Sequence, residues 1–339
     1  MLNFQNDYHD IAHPKVLQAL TDLEGQYRNS YGFDSASESA REKIQKRLGR
    51  KAAVHFVPGG STANVLALTY LLKPHECVVS VASGHIVNDE VGGVEAVGHK
   101  VNTIPSETGL MDPEALDRHL KSYGDFHNVL PKVVYISNAT ETGRVYDRKT
   151  LEELFRVSEE NNCYLYIDGA RMGAALGSEE NDLAFEDYGK LCHMFSIGGT
   201  KNGALFGEAL VFNEPELFEE FIYFQKQQLV LMAKGFVLGA QFDALFTDDL
   251  LFEIGKKASA QGKKVAKILE EQGYKLTYPC DANQVFVTIG DDELVKKLQE
   301  EARCEVMGAT DEGTILRFVT TYETTDGEIE ALRELLQSI

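Results

Sequence analysis

Lys201 sits in Ser196-Ile197-Gly198-Gly199-Thr200-Lys201-Asn202-Gly203, directly after the apolar run 193–197. A lysine in a glycine-framed turn behind a buried strand is badly placed for a surface role. It is well placed for Schiff-base chemistry, because desolvation and nearby cations depress an amine's pKa and free its lone pair. A plain turn with its lysine in water has the same residues. A phosphate-binding loop is excluded, since that motif needs Lys directly before Ser or Thr, and here Thr200 precedes Lys201.

Other stretches offer complementary chemistry. Phe56-Val57-Pro58-Gly59-Gly60-Ser61-Thr62-Ala63-Asn64 ends a strand and opens a helix with two glycines and two hydroxyls. Free N–H groups and the positive helix end make that an anion site. Asp168 and Arg171, in Tyr164-Leu165-Tyr166-Ile167-Asp168-Gly169-Ala170-Arg171, follow an apolar strand. A carboxylate there needs a cationic partner, either Arg171 or a protonated ring nitrogen. His85, in Ser83-Gly84-His85, can stack on a planar ligand or move protons near neutral pH. Ile136-Ser137-Asn138-Ala139-Thr140-Glu141-Thr142-Gly143 adds polar groups after another strand. Arg317 alternates with apolar residues in Leu316-Arg317-Phe318-Val319, the usual setting of an arginine that grips a carboxylate or forms a structural ion pair. No pair of histidines has metal-ligand spacing on a convincing element, so no metal is expected.

A phosphate cradle, an acid, a histidine and a turn lysine together match pyridoxal 5′-phosphate (PLP): phosphate, ring nitrogen, flat face and aldehyde. The elements must then bring them to one edge. From residue 51, β-rich runs at 52–57, 77–82, 100–104, 132–137, 163–167, 193–197 and 207–212 alternate with helical patterns at 62–72, 87–97, 112–122 and 148–161. That alternation predicts an α/β fold with a mostly parallel seven-stranded sheet between helices. The last run follows so closely that an antiparallel strand is expected. Helical patterns at 214–228 and 231–272, broken near Asp248, lead to strands at 284–289 and 315–319 and helices at 291–302 and 325–338. The expected organisation is an N-terminal arm (1–50), a large PLP-binding domain (51–247) and a small α+β domain (248–339).

With 43% hydrophobic and 25% charged residues in 339, the composition is that of a soluble globular protein. No apolar run approaches the about 20 residues of a membrane span, and no basic, apolar leader suggests a secretory signal. The net charge of −20 argues against nucleic acid or anionic membrane as partner. The five cysteines, Cys77, Cys163, Cys192, Cys280 and Cys304, are scattered and lack CxxC spacing, which suits reduced thiols in a cytoplasmic protein.

From Asn6-Asp7 through Arg317 the chain resembles the threonine aldolase and β-eliminating lyase family of fold-type-I PLP-dependent enzymes. The resemblance implies that Lys201, beside Thr200, forms the Schiff base and that Asp168 pairs with the ring nitrogen. It implies that Gly60, Ser61 and Thr62 hold the phosphate, that His85 stacks on the ring, and that Arg171 contacts cofactor or substrate carboxylate. Arg317 is implied as a substrate-carboxylate ligand, Tyr31 as a residue lent by a neighbouring subunit, and Asn6 as a substrate neighbour where the family often has serine. Lys234, in the segment 227–235, stands in for an arginine that reaches a neighbour's phosphate. Ala139 and Glu141 occupy positions where aldolases carry an asparagine and a histidine. The implied reaction is cleavage of a β-hydroxy-α-amino acid to glycine and an aldehyde, in a homodimer or homotetramer with shared sites. His85, directly or through a water, is the first choice of base, and Glu141 the second. β-Elimination, transamination and racemisation use the same parts, and a non-catalytic PLP-binding protein or a PLP-independent α/β protein are further alternatives.

Overall fold

The computed structural model describes residues 2–337, so the last residue of the helix expected at 325–338 lies outside the described residues. Short β-rich runs form the strands of the main sheet, several of them buried on both faces. They are β1 (Ala53–Val57), β2 (Glu76–Val81), β3 (Lys100–Ile104), β4 (Leu130–Ser137), β5 (Tyr164–Asp168), β6 (Met194–Gly198) and β7 (Glu208–Phe212). They make one seven-stranded sheet in the order β1-β7-β6-β5-β4-β2-β3. β3, β2, β4, β5 and β6 run parallel, whereas β7 is antiparallel to both β6 and β1. The carboxyl ends of β1, β2, β4, β5 and β6 therefore share an edge with the first residue of β7, and Glu208 lies in register with Gly198 and Val57.

The expected helices 87–97 and 214–228 differ from the pattern, whereas the break expected near Asp248 is found. The run 87–97 is two short turns, His85–Asn88 and Gly93–Ala96, separated where Val91 and Gly92 take positive φ of 51° and 69°. The run 231–272 is two helices, Phe236–Leu245 and Leu250–Glu271, parted by Asp248 and Asp249 with φ of 51° and 56°. Segment 214–228 contains a 3₁₀ turn, Pro215–Phe218, and a short helix, Phe221–Gln227.

β8 (Gln284–Ile289), β9 (Glu305–Thr310) and β10 (Gly313–Val319) form an antiparallel sheet in the order β8-β10-β9. The sequence reading missed β9, because Glu-Val-Met-Gly-Ala-Thr is mostly exposed and shows no apolar alternation. This sheet packs with the helices Leu250–Glu271, Asp292–Glu301 and Asp326–Gln337 over a core of its own, which includes Phe4. The arm thus serves both layers: Phe4 joins the small core, while Val16, Ile44 and Leu48 join the large one. The layers also meet where the helix Met172–Leu176 lies against Leu250–Glu271. The approach there is so close that a Cβ on Gly255 would lie 1.9 Å from the Gly173 carbonyl oxygen. Among the described residues no helix is long and apolar enough to cross a membrane.

Candidate active site

The loop between β6 and β7 closes on itself. Gly199 N–H and Thr200 N–H both donate to the Gly207 carbonyl, at 3.0 and 3.2 Å, and Gly203 turns the chain with φ of 86°. Asn202 Nδ2 ties the loop to the Gly198 and Ala170 carbonyls at 2.8 and 3.1 Å. Lys201 is thereby fixed on the wall of a cleft of about 360 Å³, which lies within the usual size range of small-molecule sites. Its amine makes no hydrogen bond or ion pair among the described residues. Burial and the Arg171 charge depress its pKa below that of an ordinary lysine, against the opposing pull of Asp7, Asp168 and Glu208.

Asp168 ends β5 on the same cleft. Oδ2 accepts from Tyr135 Oη at 2.7 Å and Asn64 Nδ2 at 2.9 Å, and Oδ1 accepts from Ala170 N–H at 2.9 Å and Ser196 Oγ at 3.3 Å. Burial alone would raise its pKa. The Tyr135 bond, the His85 charge, Asn64 and the Ala170 N–H outweigh it and hold the carboxyl below the ordinary aspartate value. Asn64 also donates to Glu90 Oε1 at 2.8 Å, and Glu90 Oε1 lies 2.9 Å from His85 Nδ1. Burial opposes an imidazolium at His85, but the Glu90 bond and the charges of Asp168 and Glu90 prevail, so its pKa lies above the ordinary one. On the β4 side, Glu141 Oε1 accepts Ser137 Oγ at 2.6 Å and His85 N–H at 3.1 Å. Burial pushes Glu141 above the ordinary glutamate range, against the Ser137 bond. Glu208 also lines the cleft. Burial and Asp168 raise its pKa despite Lys201, Thr200 and the Gly199 N–H.

Arg171 is held by the arm. Its Nε and one Nη donate to the two oxygens of Asp7 at 2.7 and 3.1 Å, and Asn283 Nδ2 reaches Asp7 from the small domain at 3.0 Å. Asn6 Oδ1 accepts the Tyr8 N–H at 3.1 Å, and Tyr8 lines the cleft. Arg317, on β10, pairs with Glu305 on β9 and reaches Gln284 at 3.4 Å, while its buried Nε has no partner. Opposite, the helix Gly60–Leu71 begins with no side-chain cap. Gly59, Gly60 and Ser61 line the cleft, and a Cβ on either glycine would meet nothing within 4 Å.

The model of the β-eliminating lyase family matches residues 18–307. The chain belongs to the β-eliminating lyase family. It is similar to the low-specificity L-threonine aldolase of Pseudomonas aeruginosa, 28% identical over 99% of this chain and 96% of that protein. A Pseudomonas sp. enzyme of the same name is 29% identical over 86% of this chain and 85% of its own. A solved threonine aldolase of Leishmania major superposes with a TM-score of 0.97 at 36% identity, covering 100% of this chain and 99% of that one. A serine palmitoyltransferase from S. paucimobilis, solved with bound PLP, shares the fold alone, with a TM-score of 0.73, 17% identity and coverage of 100% and 86%.

In this β-eliminating lyase family chain the fold gathers Lys201, Thr200, Asp168, Arg171, His85, Glu141, Gly60 and Ser61 on one cleft. Thr62, Asn6 and Arg317 are not among the cleft-lining residues, although Arg317 is near enough to Arg171 and Asp7 to feel their charges. Tyr31 and Lys234 lie elsewhere. Tyr31 N–H donates to the Ala233 carbonyl at 3.0 Å, and the Lys226 ammonium sits 4.5 Å from the Tyr31 ring centre. Sequence reasoning missed Asp7, Asn64, Glu90, Tyr135 and Glu208 as members of the site. Glu208 had a readable signal, a charge heading the apolar run 207–212. Asp7 had none, since its partner Arg171 is 164 residues away.

Proposed function

We propose that the protein is a PLP-dependent aldolase that cleaves the Cα–Cβ bond of β-hydroxy-α-amino acids to glycine and an aldehyde. The observation that carries this reading is one cleft shared by an unpaired lysine amine, a hydrogen-bonded aspartate and an open helix N-terminus. The names of the similar proteins support the substrate class. The cleft-lining residues fit the cofactor: Lys201 for its aldehyde, Asp168 for its ring nitrogen, His85 for its face, and Gly60, Ser61 and Thr200 for its phosphate. When bound, PLP supplies an electrophilic carbonyl and a ring that accepts an electron pair.

The chain's own groups do the rest. Asp168, favoured as the ionised form by its hydrogen bonds, would keep a pyridine nitrogen protonated when the cofactor is bound. Arg171, oriented by Asp7, grips the substrate carboxylate and so fixes which Cα bond is presented for cleavage, and Arg317 adds its charge from outside the cleft lining. A substrate panel tests this. L-threonine, L-allo-threonine and phenylserine are expected to yield glycine plus aldehyde. Release of ammonia and a keto acid instead would replace the reading with β-elimination, the alternative favoured by Glu141 and Ala139 in place of the residues that aldolases carry.

A homodimer or homotetramer in the cytoplasm belongs to the same proposal. Tyr31 and the segment around Lys234 meet each other away from the residues that line this chain's cleft, which suits residues lent to a neighbour. Activity that survives dilution to monomers would refute shared sites.

A further inference from the structure

The two candidate bases are neighbours in the cleft, with Glu141 Oε1 3.1 Å from the His85 backbone N–H, but their side chains are engaged differently. The His85 ring is turned to Glu90. Its Nδ1 faces Glu90, and its charge is coupled to Asp168, Glu90 and Lys201. The Asn64 amide braces Glu90 and Asp168 together, at 2.8 and 2.9 Å. A ring whose Nδ1 pairs with one carboxylate and lies near a second holds its proton more firmly than a free imidazole. Glu141 follows β4 and lines the cleft, and Arg171 feels its charge. Outside its own residue its donors are Ser137 Oγ and His85 N–H, and both reach Oε1. Oε1 is thereby held and Oε2 is left to the cleft. A carboxylate that lines a cleft without a cation in ion-pair contact needs a proton donor there.

We propose that Glu141 Oε2 takes the β-hydroxyl proton of the substrate, while His85, held at Nδ1 by Glu90, has a positioning role. This rests on the aldolase reading and assigns its base. The proton moves from the β-oxygen to Oε2, and the O–H pair becomes the second bond of the aldehyde carbonyl. The Cα–Cβ bond breaks and its electron pair stays with the Cα fragment. That fragment takes one proton at Cα and leaves as glycine, which balances the proton gained at Glu141. Burial lifts Glu141 toward working pH, so it accepts a proton better than an exposed glutamate does. The titratable or charged groups around it are His85, Asp168, Arg171, Tyr135 and Tyr146.

The test compares two reactions of PLP-loaded protein. Glycine lacks the β-hydroxyl, so exchange of its α-proton for deuterium, followed by NMR, does not require the proposed base. Glu141→Gln is expected to keep the bound-cofactor absorbance and to lower the ratio of L-threonine cleavage to glycine exchange by roughly 100-fold or more. Glu141→His is expected to restore part of that ratio and to move the acid limb of kcat/KM toward the imidazole range. An unchanged ratio in Glu141→Gln, including an equal loss of both reactions, overturns the assignment. A wild-type protein that exchanges glycine protons but releases no aldehyde from any β-hydroxy amino acid overturns the aldolase reading itself.

Discussion

Lys201→Ala is expected to lower β-hydroxy amino acid cleavage by roughly 10,000-fold or more, the scale of removing a covalent nucleophile. The reason is local. The Lys201 amine has no ion-pair or hydrogen-bond partner among the described residues, and burial with Arg171 nearby favours its neutral form. Neutral amine attacks a carbonyl; ammonium does not. Wild-type protein with PLP is expected to absorb in the visible and to retain the cofactor covalently after borohydride reduction, and the alanine variant is expected to do neither. Full turnover in Lys201→Ala would exclude the mechanism. The fold does not depend on this amine, so a near-native melt in the variant is the accompanying expectation.

Asp7→Asn is expected to destabilise the fold by about 3–5 kcal/mol, because it keeps the shape of the side chain but leaves a buried guanidinium without its countercharge. Asp7 is 5% exposed and Arg171 9%, so water does not replace the missing charge. The pH dependence follows from the same contact. Burial would raise the Asp7 pKa, but Arg171, Lys201 and the bonds from Arg171 and Asn283 lower it from 3.8 to about 2. At about 1.4 kcal/mol per unit, that shift corresponds to roughly 2 kcal/mol. The folded value is the lower one, so this stabilisation is fully present above the unfolded value and is lost as pH falls through about 2. Urea melts of wild type and variant between pH 7 and pH 2 measure both effects. A variant within about 1 kcal/mol of wild type at pH 7 would mean that the pair contributes nothing net.

The parts of the fold that sequence made legible are those with local periodicity. β3 and β8 coincide with the expected runs at 100–104 and 284–289, and the helix Pro113–Lys121 falls in the expected 112–122, capped by Asp112, whose side chain accepts the Glu114 N–H. β9 was not legible, because an exposed edge strand has no buried face to imprint on its sequence. The same distinction governs the site. Lys201, Asp168 and His85 follow apolar runs and declare themselves by position. Glu90 was hidden inside an expected helix at 87–97, and it became visible only when that helix proved to be two turns with Glu90 between them. Asp7 is made functional by Arg171 and Asn283, from two distant parts of the chain, and no local pattern encodes such a meeting.

The antiparallel return of β7 has a consequence for assembly. Because β7 runs back beside β6, the Lys201 loop spans only the residues between the paired Gly198 and Glu208. Loop-closure entropy rises with the logarithm of the chain enclosed. The contacts that seat the reactive amine are therefore among the least demanding in a refolding chain. The Asp7 contacts, across 164 residues to Arg171 and 276 to Asn283, are among the most demanding. The turn that carries Lys201 closes largely within its own strand pair, with Asn202 reaching back 32 residues to Ala170, whereas Arg171 is oriented only once Asp7 and Asn283 have met.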